Sequence, residues 1–382
     1  MFKRLFTACL SGVLCISACG QVAPTASLPP PDISFTHQYQ ISVGDHPTSV
    51  FSQDLDLDGD RDLVATNDGE GVGHTISVLL NAGQGGIFDS TIITVGEEPI
   101  AVVAADWDSD GDPDLSVANH ESDDISILAN NGSGGFSGSA LVSLPQNSYP
   151  FMMATGDFDL DGDLDIGFAN YASNGAVTVL SNTGGGAFEV SNSIKTGGNP
   201  YSIAKGDFDN DGDLDLVAAA HAAGQVSILL NDGRGNFELS STTQVGDEPW
   251  SLVAGDFDGD NDLDLAAANE GSNNISVLAN KGDGSFTLIQ TVNVGEEPYS
   301  VAAGDFDEDG DLDLAAANEA SHTVSILTNQ GLGNFAETLV VEVGEEPWSV
   351  IVDDFDQDRD LDLAVANSDS DNISILLNNL RP

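Results

Sequence analysis

The stretch Asp207–Asp215 reads DFDNDGDLD, and the chain carries seven versions of it. They begin at Asp54, Asp106, Asp157, Asp207, Asp256, Asp305 and Asp354, at spacings of 52, 51, 50, 49, 49 and 49 residues. A fixed period near 50 residues is the mark of one supersecondary unit stacked on copies of itself. Alternating Asp with Gly at the sixth place is the donor pattern of a loop that wraps a hard cation in oxygen. Together these features predict a ring of small sheets, each with an ion-binding turn.

The unit around the fifth copy shows what each sheet contains. GDEPWSLVAG (246–255) leads into the Asp loop, LDLAAAN (263–269) follows it, ISVLAN (275–280) comes next, and TLIQTVNV (287–294) ends the unit. Four short β-prone runs are separated by turn chemistry, and a turn of the form NxGxGxF joins the third and fourth in most units, as in a hairpin. No stretch has helical periodicity. The expected fold is all-β: a seven-bladed β-propeller of four-stranded antiparallel blades. Ala-rich strands such as LAAAN (265–269) are read as the inner strands that let blades approach near the axis.

The ends of the domain supply the closure. The last unit stops at ISILLNN (373–379) with no fourth strand, whereas SFTHQYQISVG (34–44) is a fourth strand with no unit before it. Phe35 takes the place of Phe88, Phe136, Phe188, Phe237, Phe286 and Phe335. The N-terminal strand is therefore expected to complete the last blade and to remove an exposed edge. A linear solenoid would need capping units instead.

In each nonapeptide, places 1, 3, 5 and 9 are expected to aim side-chain oxygens inward while place 7 offers its carbonyl. The candidate ligands are Asp54, Asp56, Asp58, Asp60 and Asp62; Asp106, Asp108, Asp110, Asp112 and Asp114; and Asp157, Asp159, Asp161, Asp163 and Asp165. The later loops contribute Asp207, Asp209, Asp211, Asp213 and Asp215; Asp256, Asp258, Asp260, Asp262 and Asp264; Asp305, Asp307, Asp309, Asp311 and Asp313; and Asp354, Asp356, Asp358, Asp360 and Asp362. An all-oxygen set favours Ca²⁺, up to seven ions, in a structural role. The twelfth place, where an EF-hand has Glu, is occupied by Ala65, Val117, Phe168, Ala218, Ala267, Ala316 and Val365. Gly212 and its counterparts are expected at positive φ. Asn261 and Arg359 replace this glycine, so the seventh loop is expected to bind most weakly.

The chain has 63 acidic and 9 basic residues, a formal charge of −54. Five Asp in each of seven loops hold 35 of those acids; seven Ca²⁺ would leave −54 + 14 = −40. Phosphate backbones are bound by Lys and Arg, which excludes nucleic acid as the expected partner. Residues 1–18 read as a signal peptide, with Lys3 and Arg4 before a short apolar run ending Ile16-Ser17-Ala18-Cys19. That ending resembles a bacterial lipobox, in which cleavage precedes the Cys and the Cys is lipidated. Residues 19–32 read as lipidated Cys19 plus an extended tether, and 33–382 as the propeller. The expected location is the bacterial cell envelope, with the membrane reached only through the lipid.

Taken together, PWSL (249–252) before a loop, GDFDxDGDLDL within it and ISIL after it resemble the FG-GAP/VCBS repeat family, over residues 34–379. The resemblance implies a seven-bladed propeller like the head of integrin α subunits, with calcium in the loops joining first and second strands. The family's FG dipeptide is here Pro followed, in most repeats, by a bulky residue. Adhesion and ligand binding are what the family implies most often; the fold alone does not select a function.

A second register precedes each first strand. Pro47, Pro99, Pro150, Pro200, Pro249, Pro298 and Pro347 are followed by Thr48, Ile100, Phe151, Tyr201, Trp250, Tyr299 and Trp348. Strand order places these on the face opposite the Asp loops, near the axis. Phe151, Tyr201, Trp250, Tyr299 and Trp348 are the candidate ligand-binding residues, walling a shallow pocket with an acidic rim for a sugar or a basic peptide segment. The competing reading, favoured by their regular spacing, makes each a wedge packed between adjacent blades. His74, His120, His221 and His322 read as exposed loop residues. There is no G-x-S-x-G, H-E-x-x-H or P-loop and no catalytic Cys beyond the signal. The expected function is non-enzymatic binding of a protein or glycan by a monomer, with a glycosidase- or lyase-type enzyme at the axial face as the alternative.

Overall fold

The computed structural model describes residues 33–83, 88–171 and 175–380. The expected signal peptide, Cys19 and the tether lie outside the described residues. Seven four-stranded antiparallel sheets are present, and in six of them the strands follow chain order from the axis outward. The seventh is ordered Phe35–Ser42, Asn372–Asn378, Asp362–Asn367, Pro347–Asp353. The first strand of every blade contacts the first strands on either side, and Pro47–Gln53 meets Pro347–Asp353, so the ring is closed.

Closure follows the expected register. Phe35 stands opposite Asn378, as Phe237 stands opposite Asn231 in the fourth blade. Its ring meets Phe306 edge-on at 5.6 Å, the contact that Phe335 makes with Phe257. Each such pair joins the aromatic at the second place of one Asp loop to the start of the next blade's fourth strand.

The core consists of seams between blades. One seam joins Phe257, Ala266, Ala268, Ile275 and Val277 of the fifth blade to Val301, Leu314, Ala316, Leu327 and Phe335 of the sixth. Second strands such as Asp264–Asn269 are buried at every residue. Both of their faces are covered, which is why they read as unbroken apolar runs. The Ala-rich strand is nevertheless second from the axis, a correction to its reading as the inner strand. Pro249–Gly255 lies inside it. A first strand is the edge of its own sheet, and there Pro, lacking a donor, is tolerated. Fourth strands alternate exposure, as in Phe237–Gln244. Among the described residues, the only helical segment is the 3₁₀ turn His221–Ala223, and no helix is long and apolar enough to cross a membrane.

Candidate functional site: the Asp loops and the axial mouth

Each Asp loop is folded around its own carboxylates. In the fourth, Asp207 Oδ1 accepts from the Asp211 amide at 3.1 Å and Oδ2 from the Gly212 amide at 3.0 Å, while Asp211 Oδ1 accepts from the Asp213 amide. Gly212 has φ of 98°, as the sequence requires, and Asn261 and Arg359 adopt 74° and 84° in its place. The fourth place is also left-handed, even where it is Leu57 or Leu160. Oxygens of Asp54, Asp56 and Asp58 lie within 4.8 Å of one another, as do those of Asp106, Asp108 and Asp114. Side chains at place 7 turn away: Asp213 lies against Gly233 of the next turn, and Asp262 accepts from Asn210 of the preceding blade at 2.8 Å. That place has only its carbonyl left for the loop centre.

The electrostatics suit a hard cation. Oδ1 of Asp54 and of Asp354 is buried without a hydrogen-bond partner. At place 9, burial lifts Asp62, Asp165, Asp215 and Asp264 to about 6, Asp313 to about 7 and Asp362 to about 8. At place 3, burial and then the neighbouring charge at place 5 raise Asp56, Asp159, Asp209, Asp258, Asp307 and Asp356. An oxygen-only set under mutual repulsion is the chemistry of a Ca²⁺ cage.

Place 9 has a second task that was not read from the sequence. Asp264 Oδ2 accepts the Phe257 amide at 3.0 Å, and its Oδ1 accepts the Asn280 amide at 2.8 Å. Asn280 Nδ2 then donates to the Phe208 carbonyl of the preceding blade at 2.9 Å. The same bridge runs from Asn81, Asn130, Asn182, Asn231, Asn329 and Asn378. Each loop is thus keyed to its own third strand and to its neighbour. The available signal was the Asn that ends every third strand.

On the opposite face, every first strand slips register just after its Pro, as between Pro249 and Ser251 and, across two residues, between Pro150 and Met153. Such a bulge re-aims one side chain. It turns the aromatics toward the axis, where they meet across the ring. Trp250 touches Phe151 two blades back and Trp348 two blades ahead, each at 5.9 Å, and stacks on Tyr299 at 4.3 Å and 7°. Trp250 also packs on Tyr201 of the preceding blade at 4.3 Å, so the contacts between neighbours that the wedge reading expects occur together with contacts across the ring. A cavity of 220 Å³ opens there, lined among others by Glu98, His120, Phe151, Tyr201, Trp250 and Trp348. Below it, a second cavity of 320 Å³ includes Lys205, which donates to the Thr155 carbonyl and whose pKa is lowered by burial. The larger cavity of 630 Å³ off the axis is lined by Lys195 but by no carboxylate or histidine.

Two histidines depart from expectation. His120 packs against Tyr149, Phe151 and Tyr171, and burial pushes its pKa down. His221 packs on Tyr201 and Trp250 and contacts Glu270 at 3.3 Å. His74 and His322 are exposed as expected. His46, which the sequence did not single out, pairs with Asp68 at 2.6 Å and meets Trp348. The rim is acidic. Burial, then the charges of Glu121, Asp68 and Glu97, raise Glu98 to about 7; burial, then Glu297, raises Glu319 to about 7. The Tyr299 hydroxyl is raised by burial and then by Glu270, Glu319, Glu297 and Glu346.

Residues 54–117, 106–168, 168–218, 207–267, 256–316 and 305–365 each match the family model described as FG-GAP-like repeat. No curated protein matches the chain. Among solved structures, BBS1N in its complex with ARL6DN is 14% identical over 90% of this chain and 96% of its own, with a TM-score of 0.64. Virginiamycin B lyase from Staphylococcus aureus is 13% identical over 90% and 99%, TM-score 0.62. Hydrazine synthase of Kuenenia stuttgartiensis is 17% identical over 88% and 96%, also at 0.62. At these identities the likeness is one of fold.

Proposed function

The chain belongs to the family of FG-GAP-like repeats, and on that footing we propose that it is a non-enzymatic binding propeller of the bacterial cell envelope that takes a basic segment of a protein partner at its axial mouth. One observation carries this reading: bulges in successive blades aim Phe151, Tyr201, Trp250, Tyr299 and Trp348 at one mouth, within a rim of carboxylates. Aromatic faces attract Lys and Arg head groups, and carboxylates complete their charge. Anchoring through a lipid at Cys19 and action as a monomer belong to the same proposal.

Calcium is part of it. In each loop the side chains at places 1, 3, 5 and 9 and the carbonyl at place 7 would hold one Ca²⁺, whose charge would offset the repulsion between them. The unpartnered oxygens of Asp54 and Asp354 support this. Since the loop joins the first and second strands, its own hydrogen bonds and the Asn bridges carry that ordering to the neighbouring blade.

The test is titration calorimetry of the full chain in calcium buffer with hexalysine and, separately, a neutral oligosaccharide. Hexalysine should bind, more weakly as salt rises, and Trp250→Ala or Trp348→Ala should reduce affinity at least about tenfold at a temperature where the melting curve shows the variant still folded. Oligosaccharide binding alone would transfer the site to glycans, and binding of neither would defeat the reading. Glu319 supports a second, catalytic reading, because a carboxyl protonated near neutrality beside Glu297 meets the requirement of a general acid. Turnover of a glycoside that vanishes in Glu319→Gln would favour it.

A further inference from the structure

We propose that Glu98, His120 and Glu121 hold a divalent ion of the borderline class, such as zinc, at the wall of the axial mouth. One ligand atom of each residue lies within 4.8 Å of the other two. Modest side-chain adjustment brings such a set to the roughly 2.0–2.2 Å that zinc requires. One imidazole and two carboxylates form a mixed nitrogen–oxygen set. The seven Asp loops offer oxygen alone, so the two kinds of site select different ions.

A second observation singles out this group. Nδ1 of His120 is buried and has no hydrogen-bond partner. A native orphan of this kind calls for an explanation, and a ligated ion provides one. Its ring is clamped by Tyr149, Phe151 and Tyr171. Packing on several sides holds the imidazole in one orientation, which is what the surroundings of a metal-binding histidine supply. In another group on this face, His46–Glu346–Asp369, the His46 Nδ1 is taken by Asp68, a residue outside the group, at 2.6 Å. Glu98 and His120 also line the cavity shared with Trp348, whose Nε1 is a second buried ring nitrogen without a partner. An oxygen ligand completing the ion's shell inside that cavity would give this N–H an acceptor.

The inference stands apart from the basic-segment reading, since ion binding is measured without any peptide. Full-length protein in saturating calcium is titrated with zinc chloride by calorimetry and with cobalt chloride by absorbance and tryptophan emission. The expected result is one zinc per chain, with cobalt quenching tryptophan emission. Affinity should fall more than about tenfold in His120→Gln and in Glu98→Gln, while His46→Gln and His221→Gln stay as wild type. Melting temperatures in calcium report whether each variant folds; should His120→Gln fail, Glu121→Gln, an exposed position, carries the test. Absent zinc binding, zinc binding unchanged in both His120→Gln and Glu98→Gln, or loss confined to the His46 or His221 variant would overturn the assignment.

Discussion

Arg359 sits at a place where most loops have glycine, with φ of 84°. A side chain held in the left-handed region costs about 1 kcal/mol. Arg359→Gly should therefore raise the urea midpoint in EDTA by an amount equivalent to about 1 kcal/mol, and should tighten the seventh loop for calcium. An unmoved midpoint would show that the strain is relieved elsewhere. The opposite sign is expected at Asn280, whose amide bridges two blades. Asn280→Ala strands buried carbonyls and should cost about 1–3 kcal/mol in the same assay with calcium present. The sixth-place turn was legible because glycine advertises it. The equally left-handed Leu57 and Leu160 were not, because leucine disfavours that conformation. There the carboxylate–amide hydrogen bonds of the loop overrule the residue's own preference.

At the scale of the strand, the order of elements and the crossing of Phe35–Ser42 into the last blade could be read from sequence, because a blade lacking its fourth strand and a strand lacking its blade match. The bulge after each Pro could not. In plain alternation the residue after Pro belongs to a sheet face; one extra residue adds contacts across the axis to those between neighbouring blades. The inter-strand Asn bridge was also hidden, since it joins residues about 70 apart that no local pattern relates. Deleting residues 35–42 should leave Asn372–Asn378 as a bare edge and uncover Phe306. Size-exclusion chromatography should then show a shift to species larger than the full chain gives. A deleted chain that elutes unchanged would mean the edge is protected by some other segment.

For the molecule as a whole, the formal charge of −54 makes pH the natural variable. Glu98 and Glu319 are pushed up from 4.5 to about 7, chiefly by burial. An acid whose folded pKa exceeds its unfolded value destabilises the fold when ionised. The penalty is present above about 7 and is relieved as pH falls through 7 toward 4.5. With calcium held saturating, the melting temperature should therefore rise from about pH 8 to about pH 6, while hexalysine affinity should fall over the same interval as the rim loses charge. The double variant Glu98→Gln/Glu319→Gln should flatten both profiles. A wild-type melting temperature that falls across that interval would contradict the burial of these groups.

The closing strand also shapes how the ring comes to exist. Within six blades every strand pairs with one close by in the chain, whereas Asn379 reaches Ser34 across 345 residues. Contacts that distant are made last, after the entropy of a very long loop has been overcome. Refolding should end in a slow phase in which a nearly finished ring captures its first strand, and unfolding should begin by releasing it. Joining the native ends and opening the chain between two other blades would replace that distant pairing with a local hairpin and so remove the slow phase, leaving the folded ring as it was.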